Sequence, residues 1–569
     1  MKKYLLFSLW FVCGYALDMM STTEISRGMR GVGYSVFSGW ESEAFEVEIV
    51  DVMRGTTPED TLILARLSGQ NLEQTGIIAG MSGSPVYISN RLVGAVAYAW
   101  SFAKEALCGI TPAELMVGTS FRVTKPFSST KRAVFSSFPL YLWSDGRGDF
   151  LGFLSNQVSR QVSFLPMAGG KGVEKDMPSS LRPGDAVAVH LVDGDVRIQA
   201  IGTVTAVEGE KVWMFGHPLF QSGQIEAPFS RAYIYGVMPS YTVSFKLGTA
   251  GQELGSVVYD GAFAVEGRVG KKPDMLPVET TLYEPGGTNT YHYRVVRSPL
   301  YQAYFTMVAF FSLLESTLGS AEQHVIDLLL EAKVLYERKT NTLTWSMNSF
   351  YDRDAVTFGR LVSDVWEFLS LVQGQDRENV RIENLRIVLK KQPVGRRGFV
   401  ERAWIERSTF QVGETMQISC VLRDNFSRTY RERFEIVLPA YLVPGKYQII
   451  LGNPQSVRAY IEKESKASLE IFTYRDVLQY YKEKAAYPAT LSQLWCGVLL
   501  PFSSQRTARG EIPGLPRQYG EWLDGGPSVG KEKRGFHLLG TNRDVPFVLP
   551  DEVILLPITI QSTNGRSGS

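Results

Sequence analysis

Cysteine and histidine are both scarce in this chain, with four and five copies in 569 residues. Cys13, Cys108, Cys420 and Cys496 stand too far apart for a zinc-ligand pattern and are too few for a disulfide framework. Chemistry through a bound metal or an organic cofactor is therefore not expected. An excess of either charge is also missing: 59 Lys and Arg face 58 Asp and Glu, a net charge of +1. No global field draws the chain to nucleic acid, which is excluded as an expected partner, or to an anionic membrane face. Long apolar runs are lacking too, since Tyr4–Ala16 and Tyr304–Leu314 are both short for a bilayer crossing. What is abundant is material for a packed β protein: 44% hydrophobic residues, 12% aromatics, 53 Gly and 27 Pro.

At roughly 150 residues per domain the length predicts three to four domains. Met1-Lys2-Lys3, the apolar run Tyr4–Ala16, and then Asp18 follow the order of a secretory signal, so residues 1–17 are expected to be one. Export to the periplasm, the envelope or the exterior follows, with membrane contact only through an uncleaved signal. From Gly31 to Trp100, short alternating runs such as Phe45-Glu46-Val47-Glu48-Ile49 and Thr61–Leu67 are broken by Gly, Asn and Pro, and they predict strands. Residues 128–185 read as a mixed connection, after which a Gly-rich β pattern runs from Ala186 to about Gly270. Tyr301–Leu318 reads as a helix and Val325–Tyr336 as a strand. Asp354 stands as N-cap to a helix whose apolar residues Phe358, Leu361, Val362, Val365, Phe368, Leu369 and Val372 recur at three and four spacing, ending at Gly374. Alternation between Phe399 and Gly452 predicts a small β-sandwich, and the Gly-, Pro-, Arg- and Ser-rich stretch 501–540 is expected to be loosely ordered.

The stretch richest in chemistry is Gly80-Met81-Ser82-Gly83-Ser84-Pro85, followed by the hairpin Val86–Ile88, Ser89-Asn90, Leu92–Ala97. A serine hydroxyl attacks only when a base takes its proton and preorganised N–H groups receive the developing oxyanion. Gly80 and Gly83 permit a tight turn in which the amides of Gly80 and Ser82 converge on one point. A plain Gly-Ser-Pro turn without chemistry is the bland reading of the same residues. Among the histidines, His217 lies in Trp213-Met214-Phe215-Gly216-His217-Pro218, where an apolar strand ends at Gly and Pro and lifts an imidazole out of the sheet. It serves equally as a turn cap. His190 sits mid-strand and reads as structural, and His292 has no assigned role. Lys104 beside Glu105 is too solvated to be a base, and Cys108 lacks a local histidine partner.

Ala200-Ile201-Gly202-Thr203-Val204-Thr205, the Glu208-Gly209 turn and Phe215-Gly216-His217 resemble the histidine-bearing half of the stage IV sporulation protein B (SpoIVB) peptidase family. Gly80–Pro85 with Leu92-Val93-Gly94-Ala95 resembles its serine-bearing half. Together the likeness covers about Gly31–Gly270. It implies a mainly β fold with a trypsin-like double β-barrel, and a serine endopeptidase with Ser82 as nucleophile and His217 as general base. In the family the histidine half comes first, whereas here Ser82 precedes His217, so the chain looks circularly permuted. The family's acidic member lies just upstream of its serine, where this chain has Ser68. Asp260, following His217 in the same β-rich half, is the candidate third member, with Glu73 a second choice.

The expected organisation is a signal (1–17), a SpoIVB-like peptidase domain (18–275), an α+β region (276–395), a β-sandwich (396–475) and a helix with a loose tail (476–569). The expected activity is hydrolysis of a polypeptide substrate through a Ser–His dyad or triad, with the oxyanion on Gly80 and Ser82. The alternative is an inactive envelope scaffold that keeps the barrels and binds another protein.

Overall fold

The computed structural model describes residues 17–100, 102–118, 140–144, 162–166, 178–284, 286–298, 301–317, 324–351, 355–373, 380–464, 473–485, 490–507, 510–513, 532–549 and 553–562. The expected signal, apart from Leu17, and the Asp354 and Gly374 helix ends lie outside these residues. No helix among them is long and apolar enough to cross a membrane. The chain divides into two compact units, residues 1–277 with 292–318, and residues 278–291 with 319–569.

The first unit holds two antiparallel β-barrels wound in the same order. In the first, β1 (Arg30–Ser35), β2 (Glu43–Met53), β3 (Leu62–Ser68), β4 (Pro85–Ile88), β5 (Arg91–Ala99) and β6 (Leu107–Pro112) close as β1-β2-β3-β6-β5-β4. The alternation that predicts β2 sends Phe45, Val47 and Ile49 inward, where they meet Ile63, Ala65, Val86, Val96 and Ile110 in one core. Two short strands, β7 (Leu140–Ser144) and β8 (Val162–Pro166), lie parallel to each other at the margin of the second barrel. That barrel consists of β9 (Ala186–Gly194), β10 (Ile198–Glu208), β11 (Lys211–Met214), β12 (Gly223–Met238), β13 (Phe245–Asp260) and β14 (Val265–Val269). Pairing runs β9-β10-β11-β14-β13-β12 and returns from β12 to β9, so the ring closes. Mapped strand for strand, this is the order of the first barrel, and the fold is mainly β and consistent with a chymotrypsin-like protease.

The barrels are stitched together by backbone and by charge. Gly39 and Ile234 exchange two backbone hydrogen bonds, 2.7 and 2.9 Å, between the first barrel and β12. Arg231, buried on β12, pairs with buried Asp185 at 3.0 Å and donates to the carbonyls of Trp40 (2.8 Å) and Ser180 (3.0 Å). Burial raises the Asp185 pKa, and Arg231 opposes that rise. The expected domain end at 275 differs from the unit boundary, because the apolar helix Gln302–Thr317 returns to the first unit and packs on β9.

In the second unit, the strands His324–Tyr336, Lys339–Tyr351 and Arg381–Pro393 form a sheet against which helix Ala355–Gln373 packs. The sandwich follows, with Gly398–Ile405, Thr415–Asp424 and Thr429–Val437 as one sheet. The stretch read as a loose tail departs from expectation. Gln493–Thr507, Glu532–Asp544 and Val553–Gln561 are strands of the facing sheet, joined by Gly445–Gly452. The physical reason is that a three-stranded sheet cannot cover its own apolar face. Leu494, Cys496, Val498, Ile558 and Ile560 supply the other half of the core that contains Met416, Ile418 and Phe434.

Replacing Arg231 with Met leaves Asp185 as a buried charge without its partner and strips two carbonyls of a donor. We expect a loss of about 3–5 kcal/mol in the denaturant-induced unfolding of the first unit. A midpoint unchanged from that of the intact chain contradicts this account of the seam.

Candidate active site

Ser82 and His217 occupy equivalent places in the two barrels. Ser82 lies in the connection from β3 to β4, and His217 in the connection from β11 to β12, which is again third strand to fourth. The identical winding brings these two connections to one seam. Thr203 of β10 donates its backbone N–H to the Ser82 carbonyl at 2.8 Å, and the Thr205 hydroxyl donates to the Gly83 carbonyl at 2.8 Å. Gly83 has φ +97°, and a Cβ there would overlap the Thr203 carbonyl oxygen and stand 2.5 Å from the Phe215 nitrogen. Only glycine allows the serine loop to lie against the histidine connection this closely. On the other side, the Thr111 hydroxyl of β6 donates to the Gly216 carbonyl at 2.6 Å, fixing the residue before His217 to the serine barrel.

The serine loop presents two unspent backbone donors. Ala79, Met81, Gly83 and Ser84 donate their N–H groups to the carbonyls of Ser244, Ile78, Val96 and Met81. Among the described residues, no hydrogen bond uses the N–H of Gly80 or of Ser82. A trans peptide points its N–H opposite to its C=O, so anchoring one aims the other. The Ala79 carbonyl is held by the Lys246 backbone N–H at 3.0 Å, which turns the Gly80 N–H the other way. The Met81 carbonyl is held by the Ser84 N–H at 2.9 Å, which does the same for the Ser82 N–H. Gly80, with φ +102°, sits on the Lys246 side chain, whose Cδ would be 2.9 Å from a Cβ at that position.

His217 is held by strain and by a neighbouring carbonyl. Phe215, a bulky buried residue, has φ +70°, an uncommon conformation that the surrounding strands must enforce. The imidazole Nδ1 lies 2.7 Å from the Pro218 carbonyl oxygen. A carbonyl accepts and cannot donate, so Nδ1 carries the proton and Nε2 keeps its lone pair, which is the tautomer of a base. Burial lowers the imidazole pKa below its ordinary value, with the Pro218 bond and the charge of Asp260 opposing that shift. Among the described residues, no hydrogen bond joins the Ser82 hydroxyl to the imidazole.

Asp260, at the end of β13 and 1% exposed, reaches the histidine connection through its backbone. Its carboxylate accepts from the N–H groups of Leu219 (2.8 Å), Phe220 (2.8 Å) and Ser222 (3.0 Å). Burial raises its pKa, while these three donors and His217 act in the opposite direction. Phe220 is clamped from outside by Tyr301 and Phe305 at the start of the helix, with ring centroids 4.4 and 5.6 Å away. The other sequence candidates lie apart. Ser68 bonds Glu46 at 3.2 Å, and exposed Glu73 closes its own turn on the Gly69 N–H. Lys104 is exposed, and Cys108 is a free, buried thiol whose pKa burial pushes up.

A second serine–histidine–aspartate group lies inside the histidine barrel. His190 Nε2 is 3.0 Å from Ser230 Oγ, and its Nδ1 is 3.4 Å from Asp193. Ser230 is 0% exposed in mid-strand, paired to Ala188 on one side and Glu253 on the other, so no reacting carbonyl reaches it. Among the described residues no group of three or more His, Cys, Asp or Glu has a metal-binding arrangement.

Sequence reasoning missed the Pro218 carbonyl and the polar residues Lys246, Thr203 and Ser35 beneath Gly80. A lysine in the alternating run Phe245–Ala250, on the parity of Gly248 and Ala250, was the available signal for the first of the three. No curated protein and no solved structure matches the chain. Residues 13–112, which include the whole serine barrel and Ser82, match the family model of the SpoIVB peptidase S55.

Proposed function

We propose that this chain is a serine endopeptidase of the cell envelope in which Ser82 is the nucleophile and His217 the general base. His217 Nε2 takes the Ser82 proton as Oγ bonds to the carbonyl carbon of a peptide. The Gly80 and Ser82 N–H groups receive the oxyanion. The C–N bond then breaks, the imidazolium gives its proton to the leaving amine, and water releases the acyl group by the same steps in reverse. Asp260 has two tasks in this reading: it fixes the histidine connection through three N–H groups, and its charge favours the transient imidazolium. The serine–imidazole hydrogen bond forms when substrate enters, as catalytic contacts commonly do. Export rests on the signal-like order of residues 1–17.

The observation that carries this reading is the pair of Gly80 and Ser82 N–H groups, unused among the described residues and turned by anchored carbonyls, in a loop tied to the strand whose hairpin leads to His217. A second reading, a scaffold that has lost catalysis, is favoured by one feature: a carbonyl and not a carboxylate faces His217 Nδ1.

A fluorophosphonate probe separates the two. Labelling of the intact chain and its loss in Ser82→Ala and His217→Ala support the peptidase, whereas no labelling of the folded chain supports the scaffold. The labelling rate is expected to rise with pH, because the base works only when neutral. Since burial lowers the imidazole pKa, the midpoint should fall below the ordinary histidine value of about 6.5. A midpoint above that value would falsify the burial argument. Asp260→Asn keeps one acceptor oxygen for three donors and removes the charge, and we expect labelling to slow by roughly 10²- to 10⁴-fold. A rate equal to that of the intact chain removes Asp260 from the site.

A further inference from the structure

Lys246 is 0% exposed, on β13 beneath the serine loop, and nothing in the reaction described above uses its ammonium. Its Nζ donates to Ser35 Oγ of β1 at 2.9 Å and lies 3.5 Å from Thr203 Oγ1 of β10. The Ser35 and Thr203 hydroxyls are 3.4 Å apart, and Thr203 donates to the Gly80 carbonyl at 3.0 Å. The Gly80 carbonyl can only accept, so the Thr203 proton is committed to it, and that sets the direction of the chain back to the lysine. Ser35 accepts from the lysine and turns its proton toward Thr203, and Thr203 in turn points its proton at Gly80. Each link polarises the next.

We propose that Lys246 is a positioning residue for the oxyanion site, acting through Ser35 and Thr203 on the Gly80 carbonyl and through its own N–H on the Ala79 carbonyl. Both peptide planes that flank the Gly80 Cα are thereby fixed, and the Gly80 N–H cannot swing away from the point where an oxyanion develops. The inference rests on the serine peptidase reading of the same site. Burial lowers the lysine pKa to about 7. A cation is costly to keep at such a place, and a methionine would fill the same space without that cost, so packing alone does not account for a lysine.

The test compares fluorophosphonate labelling rates of the intact chain with those of Lys246→Met, Thr203→Val and Thr203→Ser. Thermal unfolding and diethylpyrocarbonate modification of His217, followed on its own peptide by mass spectrometry, are measured on each. Thr203→Val keeps the shape of the side chain, so the test survives if Lys246→Met fails to fold. We expect labelling to slow roughly 10- to 10³-fold in Lys246→Met and Thr203→Val. Each variant should still unfold cooperatively, Thr203→Val at a lower temperature because the Gly80 carbonyl loses its donor; His217 modification should stay as in the intact chain, and Thr203→Ser should recover most of the rate. Folded Lys246→Met and Thr203→Val that label like the intact chain overturn this role while leaving the peptidase reading in place. A Thr203→Ser variant as slow as Thr203→Val overturns it as well, since the hydroxyl is then not what carries the effect. No labelling of the intact chain removes the peptidase reading and this role together.

Discussion

The hold of β10 on the serine loop is the constraint from which the site follows. Three groups of one strand take part: the Thr203 N–H on the Ser82 carbonyl, the Thr203 hydroxyl on the Gly80 carbonyl and the Thr205 hydroxyl on the Gly83 carbonyl. These bonds cross from the histidine barrel to the loop of the serine barrel. The loop held in this way has its Ala79 carbonyl on the Lys246 N–H and its Met81 carbonyl on the Ser84 N–H, and these two anchors turn the Gly80 and Ser82 N–H groups. The same strand leads through the Glu208-Gly209 turn into β11 and then to Phe215 and His217. One hairpin therefore both holds the serine loop in place and leads to His217.

The histidine side is built on a different principle, enforced conformation. Phe215 in a left-handed conformation, the Gly216 carbonyl tied to Thr111, and the Asp260 carboxylate gathering the N–H groups of Leu219, Phe220 and Ser222 leave the imidazole few alternatives. In the proposed centre, fixing the tautomer and stabilising the charge, which one carboxylate performs in the familiar triad, would be divided between the Pro218 carbonyl and Asp260.

Much of the barrel fold could be read from the sequence, because alternation at spacing two is a direct imprint of a half-buried strand. Phe45, Val47 and Ile49 show their inward face by alternation alone. Ser82, Gly80 and His217 stood out because each sits where small or turn-forming residues interrupt an apolar run. Less legible were groups whose role depends on contacts far along the chain. Asp260 reads from the sequence as an imidazole partner, and its hydrogen bonds go to the backbone of Leu219, Phe220 and Ser222. Lys246 meets Ser35 across 211 positions, a pairing that no local pattern encodes. The tail strands were hidden for another reason. Gly, Pro and Arg in Gln493–Thr507 and Glu532–Asp544 read as loop, and only the open face of the first sandwich sheet calls them into a second.

The shared winding of the two barrels has a consequence for how such a chain can be assembled. Every group of the proposed centre belongs to one closed ring or to a loop within it, and the stretch 113–184 between the rings supplies none of them among the described residues. What such a centre requires is that the two rings meet, whichever of them comes first along the chain. Transposed gene halves, or two separate polypeptides meeting in solution, would build the same seam, and the order in which a ribosome makes the rings leaves no trace in the centre they form.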